Sequence, residues 1–372
     1  MGIPLAQPDL TEKEIEAVSS VLRTSTLALG PRGKAFERAL ADRTGARFAV
    51  AANSGTSALH LVVRALGIGP GDEVITTPFS FVASANCILF EKAKPVFADV
   101  EPRTLSIDPK KVEAAITRHT RAILAVDVFG HPADWPALEE IARKHHLRLI
   151  EDSAESLGSK LDGRPCGSFG DAAIFGFYPN KQITTGEGGA VTTNDAEIAR
   201  LCRSLANQGR GEDGGWLDHV RLGYNYRLDE MSAALGLAQL ERLEEICAAR
   251  ARVAGWYADA LRRVEAVEAP YVARNVTMSW FVYVVRLREA FTREDRRRIL
   301  QGLGAHGIGS RDYFAPIHLQ PFYRELLGTK EGDFPIAEAA ACRTMALPFY
   351  NRLTQEEVST VVRVLDELTR RS

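Results

Sequence analysis

The sequence predicts an α/β fold with a mostly parallel central sheet, followed by a smaller C-terminal α+β domain. Three observations predict it. Between residues 48 and 206, short apolar and β-branched runs alternate with helix-like stretches, the pattern of a parallel sheet covered on both faces. From Leu228 to Arg263 one helix-like stretch continues with no break beyond a bend, and after it short strands and helices mix. The chain has 372 residues, more than one ordinary core holds. A large domain is therefore expected over residues 1–245 and a small one over 246–372.

Each element has its own signal. Thr11-Glu12-Lys13-Glu14 has the form of a capping box and opens an amphipathic helix to about Arg23. Gly30-Pro31-Arg32-Gly33 reads as a break before a helix over Lys34–Thr44. Strands are expected at Phe48–Ala52, Glu73–Thr77, Pro95–Asp99, Ala122–Val126 and Arg148–Glu151, with Ala172–Phe177 and Gly189–Thr193 closing the series. Helices are expected at Thr56–Leu66, Phe81–Glu91, Pro109–Ile116, Trp135–His145 and Ala196–Ala206. Beyond the long helical stretch come a strand at Trp280–Leu287 and helices at Glu294–Gly302 and Gln355–Leu368.

Charge and composition narrow the function. The net charge is −2 and the basic residues are scattered, so there is no electrostatic case for a nucleic-acid partner. Arg296-Arg297-Arg298 reads as the solvated face of a helix. Five cysteines, at 87, 166, 202, 247 and 342, are an odd number with no Cys-x-x-Cys pair, which implies unpaired thiols in a reducing compartment. No apolar run approaches the ~20 residues of a membrane span, and the start lacks a basic region followed by an apolar one. A cytoplasmic protein with no membrane contact is expected. His145 and His146 are adjacent and point different ways on a helix, and His119, His131, His219 and His306 lack ligand spacing, so no metal is expected.

The chemistry is concentrated in three segments. Lys181 stands between the run Phe175-Gly176-Phe177-Tyr178-Pro179-Asn180 and the turn Thr184-Thr185-Gly186-Glu187-Gly188-Gly189. Leu149-Ile150-Glu151-Asp152 ends an apolar strand on a carboxylate, and Asn53-Ser54-Gly55-Thr56-Ser57 lies between a strand and a helix. Free N–H groups and the dipole at a helix start suit a phosphate, with Gly55 allowing close approach and Thr56 and Ser57 adding hydroxyls. Sites in such sheets collect beyond the carboxyl ends of the strands, where Asp152 and residues 53–56 fall. A phosphate cup, an acid and a lysine in this order are what pyridoxal phosphate needs. The lysine holds the aldehyde, and the acid keeps the pyridine nitrogen protonated so that the ring withdraws electrons. A desolvated pocket would let the lysine lose its proton. Phe81, after a further strand, could stack on the ring or simply be core.

These segments, with Gly30-Pro31, Gly223-Tyr224-Asn225-Tyr226-Arg227 and His318-Leu319-Gln320-Pro321, resemble the DegT/DnrJ/EryC1/StrS family of pyridoxal-phosphate sugar aminotransferases over nearly the whole chain. The resemblance implies the aspartate-aminotransferase-like fold (fold type I) and a homodimer with active sites at the subunit interface. It implies that Lys181 is the Schiff-base lysine and proton shuttle, that Asp152 pairs with the pyridinium nitrogen, that Phe81 stacks on the ring, and that Gly55, Thr56 and Ser57 hold the phosphate. It further implies that Asn225 reaches the phosphate in the partner subunit, and that His318 lies on the sugar-nucleotide side. Glutamate is the implied amino donor and a keto-sugar nucleotide the acceptor.

Two positions depart from the commonest family pattern. Many relatives carry Ser five residues before the lysine, where its hydroxyl binds the phosphate; this chain has Gly176. Three residues after the aspartate, where His or Gln is frequent near the cofactor's phenolic oxygen, it has Glu155. An ionised Glu155 would repel a phenolate, so Glu155 is expected to be protonated or turned away. The segment around Glu155 resembles relatives that aminate carbon 4 of a 4-keto-6-deoxy sugar nucleotide, such as perosamine synthases. The alternatives are amination of a 3-keto sugar or a cyclitol ketone and, from another class, a non-catalytic regulator with this fold. A sugar dehydratase would have His in place of Lys181.

Overall fold

The computed structural model describes residues 2–211 and 218–370. Two helices precede the sheet, α1 (Glu12–Leu22) and α2 (Pro31–Thr44). The capping box at Thr11 is formed, with Glu14 Oε2 accepting from the Thr11 backbone N–H at 2.7 Å. The large sheet and its helices follow: β1 (Phe48–Ala52), α3 (Gly55–Ala65), β2 (Glu73–Thr76), α4 (Ala83–Phe90), β3 (Lys94–Phe97), α5 (Pro109–Ala114), β4 (Thr120–Val126), α6 (Trp135–His145) and β5 (Arg148–Asp152). A short hairpin, β6 (Lys160–Leu161) and β7 (Arg164–Pro165), leads to β8 (Ala172–Gly176), β9 (Gly189–Thr193) and α7 (Ala196–Ala206).

The seven strands run in the order β1-β9-β8-β5-β4-β2-β3. Only β9 is antiparallel to its neighbours; the other pairs are parallel. In register, Val126 stands beside Asp152 and Asp152 beside Ile174, so the carboxyl ends of β4, β5 and β8 meet in one row. The core of this layer includes Leu59, Val62, Leu124, Ile150, Ile174 and Val191.

The helical stretch expected from Leu228 divides into α8 (Glu230–Glu241) and α9 (Leu243–Leu261), with Arg242 between them outside helical geometry. After it come β10 (Val267–Glu268), β11 (Val276–Thr277), β12 (Tyr283–Leu287), α10 (Arg293–Ala305), β13 (Arg311–Asp312), α11 (Pro321–Leu327), α12 (Pro335–Arg343), β14 (Thr344–Leu347) and α13 (Gln355–Thr369). Strands β10, β12, β14 and β13 form an antiparallel sheet, and β11 joins the β6–β7 hairpin. The period of two assigns its faces. Tyr283, Val285, Leu287, Met345 and Leu347 pack with α9 and α13 in a core of their own, while Val284 and Ala346 pack into the core of the large sheet. Helix α9 joins two cores, with Leu243 and Ile246 in a further cluster with Phe36, Phe175 and Ala190, and Val253, Tyr257 and Leu261 in the small-sheet core. We propose that the domain division expected at residue 245 falls within this helix.

Differences from the expected elements have local causes. Helix α2 starts at Pro31 rather than Lys34, because proline needs no N–H partner in a first turn. Its cap, Gly30, has no side chain, and Glu230 of α8 caps it from outside. The Glu230 carboxylate accepts from the N–H groups of Gly30 (3.1 Å), Arg32 (2.8 Å) and Gly33 (2.9 Å). A Cβ on Gly30 would sit 2.6 Å from Glu230 Oε2, which explains the glycine. Helix α4 starts at Ala83 and leaves Phe81 in the preceding turn. All five cysteines are free thiols. No helix among the described residues is long and apolar enough to cross a membrane.

Glu230→Ala removes a buried carboxylate and the three charge-assisted bonds it takes from the start of α2, so unfolding free energy should fall by about 2–4 kcal/mol, measured by urea denaturation. A loss under about 0.5 kcal/mol would show that water caps α2 equally well.

Candidate active site

A cavity of about 460 Å³ opens at the carboxyl ends of β4, β5 and β8 and is lined by Thr56, Phe81, Asp152, Glu155, Lys181 and Phe281 among others. At one end stands the start of α3. Ser54 caps the helix: its Oγ accepts the Ser57 N–H at 3.0 Å and donates to Ser57 Oγ at 2.9 Å. The N–H groups of Gly55 and Thr56 have no acceptor among the described residues and lie at the positive end of the helix dipole. Backbone closeness makes this end. A Cβ on Gly55 would lie 3.3 Å from the Gly176 Cα, and one on Gly189 would collide with the Ser54 carbonyl and sit 2.6 Å from the Gly55 nitrogen. Glycine at 189 is thus what lets β9 come against the start of α3.

At the opposite wall Asp152 ends β5, buried and oriented by two donors. Ser84 Oγ of α4 donates to its Oδ2 at 2.9 Å, and the Ala154 N–H donates to its Oδ1 at 3.2 Å. Ser80 Oγ lies 3.0 Å from Ser84 Oγ, one helical turn away. Burial pushes the Asp152 carboxyl up to about 6, against the lowering effect of Ser84.

Lys181 enters between these walls. Its Nζ is 3.6 Å from Glu155 Oε1 and 3.9 Å from the centroid of the Phe281 ring. Burial lowers its pKa, and the carboxylates of Glu155 and Asp152 oppose that effect. Glu155 is not turned away: its Oε2 accepts the Phe129 N–H at 2.8 Å while Oε1 faces the lysine. Burial raises the Glu155 pKa, and Lys181 opposes the rise. Gln182 locks the next peptide, donating to the Glu155 carbonyl at 2.7 Å and to Ser279 Oγ at 2.8 Å. Behind the wall a second acid pair, Asp127 and Glu151, is buried with Cys166. Burial pushes both carboxyls up, and serine hydroxyls and backbone N–H groups fill their acceptor positions.

The structure brings Gly55, Thr56, Phe81, Asp152, Glu155 and Lys181 to one cavity. Phe81 is 61% exposed, so it is a free aromatic face at the mouth and not core. Ser57 is spent on the Ser54 cap and lies outside the lining. Asn225 is exposed, away from the cavity of its own chain, with its carbonyl accepting from Asn53 Nδ2 at 3.3 Å. His318, expected on the substrate side, is instead fully buried. Its Nε2 lies 3.0 Å from Glu338 Oε1, and its ring packs edge-on against Phe334. Its neighbours in sequence, Tyr313 and Phe314, line the cavity in its place. Burial pushes the Tyr313 hydroxyl up to about 12, so it stays a donor.

Sequence reasoning missed Ser84, Ser80, Asn180, Phe281, Tyr313 and Phe314. Ser80 and Ser84 had a usable signal, two hydroxyls spaced by four where a helix follows a strand. Asn180 Oδ1 is buried without a hydrogen-bond partner among the described residues and lines the cavity beside Lys181. The aromatic residues come from the later part of the chain, which no local pattern ties to Lys181.

Comparison with known proteins follows this geometry. A profile described as the DegT/DnrJ/EryC1/StrS aminotransferase family matches residues 8–366. The chain is 41% identical over 368 residues to a GDP-perosamine synthase of Caulobacter vibrioides, covering 98% of each. It is 37% identical over 358 residues to a UDP-N-acetyl-3-dehydro-alpha-D-glucosamine 3-aminotransferase of Acidithiobacillus ferrooxidans, covering 96% of this chain and 94% of that one. Its structure superposes on the PLP form of Spr1654 from Streptococcus pneumoniae with a TM-score of 0.94, 30% identity and 99% of each chain covered.

Two outcomes test these electrostatics. An acid whose pKa is raised on folding stabilises fully below its unfolded value, here 3.8, and loses that contribution as pH rises through about 6. Between pH ~4 and ~7 the cofactor-free wild type should therefore lose about 3 kcal/mol relative to Asp152→Asn in urea titrations. Parallel stability curves for the two proteins would refute the assignment. Because Glu155 opposes the burial effect on Lys181, Glu155→Gln should lower the pH at which Lys181 reacts with an acylating reagent, as mapped by mass spectrometry. An unchanged or higher midpoint would exclude the ion pair.

Proposed function

Since this chain belongs to the DegT/DnrJ/EryC1/StrS aminotransferase family and is a pyridoxal-phosphate-dependent sugar aminotransferase, we propose that it moves an amino group from glutamate to carbon 4 of a 4-keto-6-deoxy sugar nucleotide. One observation carries the aminotransferase chemistry: a buried, pKa-lowered lysine amine and a buried carboxylate share one cavity with an unfilled helix N-terminus. The choice of carbon 4 rests on Glu155 and on the likeness to the perosamine synthase.

The residues present fit the cofactor. The open N–H groups of Gly55 and Thr56 would hold its phosphate, and the glycine at 176 leaves room beside them, since a Cβ there meets nothing closer than 3.6 Å. That space takes the place of the serine frequent in relatives. Asp152 would face the ring nitrogen, and Phe81 would cover the ring. When bound, pyridoxal 5′-phosphate supplies an electron sink and an aldehyde that carries the amino group from one substrate to the other.

The chain's own groups then have defined work. Lys181 Nζ would carry a proton from the α-carbon of glutamate to the bound cofactor in the first half-reaction and from the cofactor to the acceptor carbon of the sugar in the second, which needs the neutral amine that burial favours. Glu155, at 3.6 Å, steadies the protonated amine between the two transfers. Asp152, buried and held by Ser84 and the Ala154 N–H, would as a carboxylate hold positive charge at the ring nitrogen. Tyr313 and Asn180 offer a hydroxyl donor and an open acceptor toward the substrate. Exposed Asn225 serves the phosphate of a second copy in a homodimer, and the protein acts in the cytoplasm.

Two half-reactions predict parallel double-reciprocal plots with glutamate and a 4-keto sugar nucleotide. Lys181→Ala should lower turnover by about 10²–10⁴-fold. A panel of 4-keto sugar nucleotides, 3-keto sugar nucleotides and cyclitol ketones, added after glutamate, decides the acceptor by which one restores the starting absorbance. Restoration by a 3-keto sugar alone would move the reaction to carbon 3, the chemistry named for the Acidithiobacillus relative.

A further inference from the structure

One buried cation stands outside the machinery described so far. Arg250, in the middle of α9, is 4% exposed. Its hydrogen-bond partners are backbone carbonyls and not carboxylates. Nη1 donates to Trp280 O at 3.2 Å and to Phe281 O at 3.2 Å, and Nη2 donates to Lys181 O at 3.0 Å. The guanidinium carbon also lies 5.5 Å from the centroid of the Phe349 ring. Burying a guanidinium is unfavourable when no carboxylate pairs with it, and none does among the described residues; burial lowers its pKa to about 10. An apolar side chain would fill the same space without that cost. What the guanidinium adds is geometry, because a rigid planar fork can fix several acceptors at once.

The acceptors it fixes are informative. Lys181 and Phe281 are the two halves of the 3.9 Å contact between the lysine Nζ and an aromatic face. They are 100 residues apart in the sequence and both line the cavity. Arg250 binds the backbone of both. The ties at Lys181 itself and at the next residue are the Lys181 N–H to Tyr178 O bond at 2.9 Å and the Gln182 side chain. Both leave the Lys181 carbonyl free for the guanidinium.

We propose that Arg250 is a positioning residue for the reactive lysine: it ties the Lys181 backbone to the Trp280–Phe281 backbone and thereby holds Nζ over the Phe281 ring and beside Glu155. The inference rests on the reading of Lys181 as the cofactor-binding lysine. Arg250 touches neither substrate nor reacting atoms and acts only through Lys181 and Phe281. Lysine at this position keeps the charge but cannot span three carbonyls in one plane.

The test uses holoenzymes of Arg250→Lys and Arg250→Ala, with Leu261→Ala as a control that damages the same helix away from the carbonyls. For each, borohydride trapping followed by mass spectrometry reads the covalent bond at Lys181. A pH titration of visible absorbance reads the midpoint of the lysine-bound cofactor, and thermal melting reads stability. Arg250→Lys should lower kcat about 10–100-fold with KM for glutamate within about threefold, the pattern of a misplaced catalytic group. It should also move the absorbance midpoint by at least about half a unit. Added guanidinium ion should raise turnover of Arg250→Ala severalfold. Leu261→Ala should lower the melting temperature and leave the midpoint in place. If Arg250→Ala does not fold, Arg250→Lys alone decides. A midpoint within about 0.2 unit of wild type and turnover within about twofold in the folded variants overturns the proposal. So does an equal midpoint shift in Leu261→Ala, which would mark a merely structural role. Wild type that gives no trapped bond at Lys181 would instead overturn the functional reading itself.

Discussion

An amine must be buried to lose its proton and must still be held in place once it gains one. That tension governs this site. Burial alone drives the lysine toward the neutral form. A lone carboxylate in direct contact would drive it back to a permanent ammonium. The chain answers with a carboxylate that is itself strained. Glu155 is buried, raised in pKa, and already hydrogen-bonded to the Phe129 N–H, so it attracts Nζ from 3.6 Å without saturating it. Nearly the same logic applies to Asp152, whose charge is costly on its own and becomes affordable only beside a cation. The cavity therefore favours positive charge at two points, Lys181 beside Glu155 and the space in front of Asp152, using acids whose own burial is unfavourable.

The same cavity depends on backbone approaching backbone. The sheet order sets β8 between β5 and β9, and the antiparallel β9 brings its first residue against the start of α3. Side chains larger than hydrogen at Gly55 and Gly189 would push the helix away from the strand ends. With the helix displaced, its free N–H groups would no longer share a cavity with Asp152. A helix start at one end and an acid at the other, at a fixed separation, are thus properties of the glycines as much as of the polar residues.

Much of this was legible in the sequence, for reasons that can be named. The large-sheet strands followed from apolar runs, and Phe48–Ala52 and Gly189–Thr193 fall where expected because both are bounded by turn residues. Lys181, Asp152 and Thr56 were legible because each lies at a strand end or a few residues beyond one, so local pattern places them near one another. The start of α2 was not, because its cap arrives from Glu230, 200 residues later. His318 was misplaced because a histidine in a family-like segment gives no sign of burial, and its partner Glu338 is 20 residues away on another helix. The hairpin β6–β7 was missed because two-residue strands carry no periodicity.

The late part of the chain makes the site depend on the whole fold. Alternation along β12 turns Val284 into the large-sheet core while Tyr283 and Val285 face α9 and α13. Just ahead of that strand, Phe281 packs in the large-sheet core and meets the lysine amine. Tyr313 and Phe314 follow β13 in the same antiparallel sheet, and Phe314 stacks on Phe129 at 5.4 Å, the residue whose N–H orients Glu155. Any shift of the small sheet is therefore felt at both groups that face the lysine, the aromatic ring and the carboxylate. Catalytic geometry and sheet-to-sheet packing are one mechanical unit, joined through Phe281 on one side and Phe129 on the other.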